Sequence, residues 1–218
     1  MVYNHQIHQD KQLTLKIHPK ILSSNLSFNQ KLILGLHYTL SKKKGYNTLS
    51  IDKMGLMFNL HRNVVSYCRK RLLNDQYIQK KDRKYVITDL YKNFETKDRR
   101  EIYIPFEIYS HKHLTTGAKL LWGEYNSISG GVKQYFASRD YTAKRLNASV
   151  ESITNWTKLL YDNKLLKLYT HNVGYCKSQK VVVTVDFNQN KIVIRNKSTI
   201  DVNQLRSWDD ILGYKGPP

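Results

Sequence analysis

Long apolar runs are missing from this sequence. No stretch approaches the ~20 residues that a bilayer-spanning helix needs, and Met1 to Asp10 is too polar for a secretory signal. Cysteine is nearly missing as well: Cys68 and Cys176 stand alone, so there is no disulfide framework and a reducing cytoplasm is the expected compartment. Acidic residues are scarce, 17 against 36 lysines and arginines, which leaves a net charge of +19. A field of that size favours a polyanion, either nucleic acid or an acidic membrane face.

The marks of catalysis are missing too. No glycine-rich loop leads into a Lys and a Ser or Thr, which excludes an ATP-driven step. His111-x-His113 and the pair His5 and His8 have no cysteines at zinc spacing. Cys68 reads as a small core residue rather than a nucleophile. The 16 tyrosines lack the metal-binding histidine cluster that a tyrosine-dependent nicking enzyme requires. The chain is therefore expected to be no enzyme, with no cofactor and no metal.

What is present is an internal repeat. Shifted by 88 positions, Leu26–Ile78 lies over Leu114–Leu166 without a gap. Leu26, Lys31, Leu32, Gly35, Ser50, Asp52, Asn59, Lys70 and Leu72 meet identical residues, and Ser27, Ile33 and Val65 meet close substitutes. Pro19 and Pro105 each sit in a short apolar segment ahead of their copy. The 218 residues accommodate two small domains.

Each copy predicts the same series of elements. A first helix opens at Ser27, with Gln30 at capping-box spacing, and carries Ile33, Leu36 and Leu40 on one face; its counterpart carries Leu121, Tyr125 and Ile128. Polar or glycine-containing stretches follow, Lys42–Asn47 and Gly130–Gln134. A second helix begins after Ser50 or Ser138 and runs to Phe58 or Leu146. Tight turns follow at Asn59–His61 and Asn147–Ser149. The third helix turns Val65, Cys68 and Leu72 inwards in the first copy, and Ile153, Trp156 and Leu160 in the second. Beyond it, β-branched runs at Tyr85–Thr88 and Val181–Val185 read as the hairpin of a wing.

The outward face of the third helix is the candidate site. His61, Arg62, Asn63, Ser66, Tyr67, Arg69 and Lys70 occupy it in the first copy; Ser149, Glu151, Ser152, Thr154, Asn155 and Lys158 occupy it in the second. In a helix-turn-helix this end enters the major groove. There Asn pairs with adenine, Arg with guanine, and Glu accepts from a cytosine amino group. Arg69 and Lys70 suit phosphates. The wings add Lys80, Lys81, Arg83 and Lys84 around Asp82, and His171, Asn172, Lys177 and Lys180 in the longer second hairpin. The charge balance is about +9 from Lys42 to Lys84 and about +6 from Lys133 to Lys180.

With these residues in place the chain resembles the tandem winged-helix proteins of bacterial plasmids, phages and integrative elements. The segments Leu114-Thr-Thr-Gly-Ala-Lys-Leu-Leu-Trp-Gly, Phe136-Ala-Ser-Arg-Asp-Tyr-Thr-Ala-Lys-Arg-Leu and Asn147-Ala-Ser-Val-Glu-Ser-Ile-Thr-Asn-Trp look like the replication-initiator helix-turn-helix family, as does Leu160-Tyr-Asp-Asn-Lys-Leu-Leu. The first copy departs from it with His61-Arg62-Asn63. The resemblance covers roughly residues 14–185. It implies an α+β fold, mainly α with small hairpin wings, in two tandem winged helix-turn-helix domains. It implies origin or operator recognition on double-stranded DNA, in the bacterial cytoplasm beside nucleoid or plasmid, with no catalytic site.

The expected organisation is an N-terminal extension (1–13), a first domain (14–88), a linker (89–100), a second domain (101–185) and a C-terminal strand and helix (186–218). The strand is expected at Lys191–Arg195. Val202, Leu205, Trp208, Ile211 and Leu212 recur at helical spacing, so residues 199–218 are a candidate for self-association or for a replication or transcription partner. Three functions follow: an origin-binding replication initiator, a transcriptional regulator, or a winged-helix scaffold for protein or RNA.

Overall fold

Leu15 and Ile17 flank Lys16, and Ile102 and Ile104 flank Tyr103. This period of two buries one side of a short strand, and all four aliphatic side chains are fully buried. The computed structural model describes residues 13–171, with the side chain of His171 excepted, and 179–186. In it the two segments are β1 (Leu15–Ile17) and β4 (Ile102–Ile104), paired antiparallel with Lys16 opposite Tyr103.

After β1 come α1 (Pro19–Leu22), α2 (Phe28–Lys44), α3 (Ile51–Phe58), α4 (Arg62–Asn74) and a hairpin of β2 (Ile78–Lys81) and β3 (Lys84–Ile87). After β4 the order repeats: α5 (Phe106–Tyr109), α6 (Thr116–Ser129), α7 (Arg139–Leu146), α8 (Val150–Asp162), β5 (Leu166–His171) and β6 (Gln179–Val183). The fold is α+β. No helix among the described residues is long and apolar enough to cross a membrane. Residues 1–12 of the N-terminal extension, His5 and His8 among them, lie outside the described residues. So do the expected Lys191–Arg195 strand and the helix expected on Val202, Leu205, Trp208, Ile211 and Leu212.

Local chemistry accounts for the boundaries. Ser27 and Gln30 form the capping box of α2, and Ser50 and Ser138 each accept a backbone N–H at the start of α3 and α7. Asn59 and Asn147 end those helices in the left-handed region, with φ of 51° and 50°, which asparagine tolerates better than most residues. Expectation fails in three places. α2 continues through Lys42, Lys43 and Lys44, because cations suit a helix C-terminus and Gly45 supplies the left-handed cap. Ile128 is 38% exposed, since it falls on the last turn of α6 beyond the core. Trp156 is half-buried at the seam rather than in the core: its ring meets Phe28 edge-on at 4.9 Å and lies so close against Gly117 that a Cβ there would overlap it. Thr157 is buried in its place, sharing a 2.8 Å hydrogen bond with the Tyr125 hydroxyl.

The copies meet through reciprocal contacts. Lys31 Nζ donates to the Leu146 carbonyl at 2.6 Å, and Lys119 Nζ donates to the Phe58 carbonyl at 2.7 Å. Asn59 Nδ2 donates to the Lys112 carbonyl at 3.2 Å, and Asn147 Nδ2 to the Ser24 carbonyl at 3.0 Å. Each pair maps onto the other under the repeat, the signature of an isologous contact around a pseudo-dyad. Gly35 and Gly123 let Ile17 and Ile104 approach their helices; a Cβ at either glycine would lie 2.8 Å from the isoleucine Cγ1. The described residues up to Thr184 form one compact unit.

The two seam lysines have a pH signature. Burial lowers the pKa of Lys31 to about 7 and that of Lys119 to about 8. Unfolded, both amines titrate at their ordinary higher value. From about pH 7 to about pH 10 the unfolded chain thus binds more protons than the folded one, and stability rises with pH. Below about pH 7 both states are protonated and the contribution is flat. Denaturant titrations across that window should show a larger gain for the wild type than for a K31M/K119M variant. Equal gains would assign the rise to other groups.

Candidate nucleic-acid interface

α4 and α8 are 13 residues each, and each is held by its apolar stripe. Val65, Cys68 and Leu72 are buried on α4; Ile153, Thr157 and Leu160 are buried on α8. Burial pushes the Cys68 thiol up, as fits a packing residue. The opposite faces are open. On α4, His61, Arg62, Asn63, Tyr67 and Lys70 are exposed and Ser66 is half-buried. On α8, Ser149, Glu151, Asn155 and Lys158 are exposed, with Ser152 and Thr154 half-buried.

Two of these residues have structural duties. His61 is the N-cap of α4, its Nδ1 accepting from the Asn63 N–H at 3.2 Å, so its other ring nitrogen is the one available to a ligand. Ser149 caps α8 in the same manner, and its hydroxyl also donates to Ser152 Oγ at 2.9 Å. Arg62 leans towards Asp52 of α3, with Nε 3.5 Å from the carboxylate. That pair is exposed, and such pairs are worth little in water, so Arg62 exchanges partners at low cost.

Arg69 does not face outwards. It is 5% exposed, its Nη2 donates to the Leu49 carbonyl at 2.6 Å, and its guanidinium lies 4.5 Å from the Tyr85 ring centroid. The expected phosphate contact is overturned by helix geometry: Arg69 follows Cys68 on the inward side, and stacking on Tyr85 satisfies a cation in the space between α4 and β3. Its work is to fasten the hairpin to the helix.

The first hairpin places Lys80, Lys81, Arg83 and Lys84 in the open around Asp82, the turn residue at φ 55°. In the second, Lys180 is exposed on β6 opposite Thr170. His171 closes β5; its side chain, Asn172 and Lys177 lie outside the described residues. Each hairpin gains a bridge from the loop before α3 or α7, Asn47 to Tyr85 and Tyr135 to Val181. Arg139, unforeseen from the sequence, reaches from α7 to Thr154 Oγ1 at 3.1 Å and puts a guanidinium beside the polar face of α8. Its only sequence signal is a basic residue directly after a helix cap.

The stretch between the copies lies against both. It opens as a 3-10 turn, Asp89–Asn93, whose Tyr91 packs edge-on against His18 and Tyr38. Further on, Asp98 and Arg100 join Glu124 and Arg145 in a largely buried network. Burial alone would raise the Asp98 carboxyl, but hydrogen bonds from Arg100 and Tyr141 and the charge of Arg145 hold it well below the usual carboxylate range.

Two capped helices with uncovered polar faces, each beside a hairpin and hitched to one pseudo-dyad, make a two-headed surface. Comparison with known proteins adds nothing to that geometry: no family model matches the chain, and no curated protein matches it.

Proposed function

We propose that this chain is a sequence-specific double-stranded DNA-binding protein whose copies act as two winged helix-turn-helix reading heads, serving as the origin-binding initiator of a plasmid, phage or integrative element. One observation carries the reading. In both copies a short helix follows a left-handed asparagine turn and leaves an amide-bearing polar face uncovered next to a hairpin. That arrangement suits a helix entering the major groove, with the hairpin meeting the backbone. The net charge of +19 supports a polyanionic partner.

Asn63 and Asn155 are the amides best placed for adenine, both exposed on these faces. Asn63→Ala and Asn155→Ala should each cost roughly 1–3 kcal/mol at the cognate site and almost nothing on unrelated duplex. Selection of bound duplexes from a random pool at near-physiological salt supplies that site. Enrichment of a motif that recurs within one replicon's origin supports the initiator. A motif confined to a promoter points to a regulator, and no enrichment defeats sequence-specific reading.

A further inference from the structure

Arg139 opens α7, directly after the Ser138 cap, where the positive end of the helix dipole disfavours a cation. Its Nε is enclosed by protein and has no hydrogen-bond partner, and a buried donor left unpaired is a cost. The guanidinium nevertheless turns towards α8, and its Nη1 donates to Thr154 Oγ1 at 3.1 Å. Neither the start of α7 nor the guanidinium's own hydrogen bonding gains from this placement; Thr154 does.

The Thr154 hydroxyl is committed twice. It accepts from Arg139 and donates to the Val150 carbonyl at 3.0 Å, which holds the side chain against rotation about χ1. The group left to a ligand is the Cγ2 methyl. Thr154 is half-buried, and it keeps register with the open face of α8: Glu151, Thr154, Asn155 and Lys158 recur at i, i+3, i+4 and i+7. The first copy has neither half of this arrangement, since Ile51 and Ser66 occupy the matching positions.

We propose that Thr154 reads the 5-methyl group of a thymine in the major groove, and that Arg139 is the positioning residue that keeps its hydroxyl from the base and leaves its methyl to make the contact. The proposal rests on the DNA-binding reading above. A hydroxyl left free would pair with more than one base, whereas apolar contact with the 5-methyl group singles out thymine. Uracil differs from thymine in that methyl alone, which supplies the probe: the duplex selected by the full chain, with each thymine replaced in turn by deoxyuridine. At one position the wild type should bind the thymine duplex about fourfold more tightly, the worth of one buried methyl. T154S keeps the hydroxyl without the methyl and should bind both duplexes equally at that position. T154V keeps a methyl without the hydroxyl and should retain the preference, while R139Q should shrink it. Each preference compares two duplexes on one protein, so a change in stability or in overall affinity does not enter it. No preference in the wild type, one that survives T154S, or one lost in T154V as well overturns the methyl contact. A preference that R139Q leaves unchanged overturns the positioning role of Arg139. Wild-type protein that selects no site overturns the DNA-binding reading and this proposal with it.

Discussion

Arg145→Met should lower the free energy of unfolding by about 3–5 kcal/mol, far more than loss of any exposed cation. Arg145 is nearly inaccessible, with its side chain 2% exposed, and it faces a Glu124 side chain that is 0% exposed. Its Nε lies 2.5 Å from Glu124 Oε2, its Nη1 3.1 Å from Asp98, and its Nη2 donates to the Arg100 carbonyl at 2.8 Å. Removing it leaves Glu124 with only Arg100, at 3.3 Å, and the Tyr135 hydroxyl, at 3.0 Å. Arg100 would then face two carboxylates, Asp98 and Glu124, and a buried carboxylate short of counter-charge is the costly element, more than the lost attraction. The double variant E124Q/R145M keeps an acceptor for Tyr135 without the charge, and should be more stable than R145M alone. Denaturant midpoints of the wild type, both single variants and the double variant check this. A double variant at or below the sum of the singles would mean that Arg145 acts through packing and not through the carboxylate.

This network marks the limit of what the sequence shows. The helices are legible because their signals are local: cap residues at fixed offsets, and apolar spacing such as Ile33, Leu36 and Leu40, although α2 turns out to be buried on every side from Lys31 to Leu40 because the second copy packs against it. The repeat is legible because both copies solve the same packing problem. Several of its identities lie on the seam, where Lys31 and Asn59 and their partners Lys119 and Asn147 bond across the pseudo-dyad. A lysine kept in both copies at a helix position next to apolar residues is a signal for that seam. Spacing alone does not reveal it, since the burial of Lys31 depends on a carbonyl 115 residues away. The outward reading of Arg69 fails for a related reason. Its one-position offset from Cys68 leaves it on the margin of the buried stripe, and the deciding partner, Tyr85, is on a hairpin. The strands β1 and β4 escape a sequence reading because three residues of alternation are too few to stand out, though their alternation is plain once they are paired.

On the DNA-binding function proposed above, inserting five base pairs between the half-sites of a selected target should weaken binding by about a hundredfold or more, and inserting ten should not restore it. The expectation follows from how the reading helices are attached. Asn59 and Asn147 lie two residues before the caps of α4 and α8, and both are bonded across the pseudo-dyad. Lys119 and Lys31 hold the carbonyls just ahead of those turns. Each head is thus fixed to the seam at its base. The β1–β4 pairing and the Asp98–Arg100–Glu124–Arg145 network add further ties. Heads related by a two-fold axis meet half-sites in inverted orientation, and the half-sites differ because Asn63 and Tyr67 correspond to Glu151 and Asn155. Five base pairs turn one half-site about half a helical turn away, and ten return it to the same face about 34 Å further along. A seam of short hydrogen bonds cannot follow either displacement. Losing two or more read base pairs at about 1–3 kcal/mol each gives the stated factor. Recovery at ten base pairs, or equal binding to a direct repeat of the half-sites, would show that the heads move independently and that the seam opens on DNA.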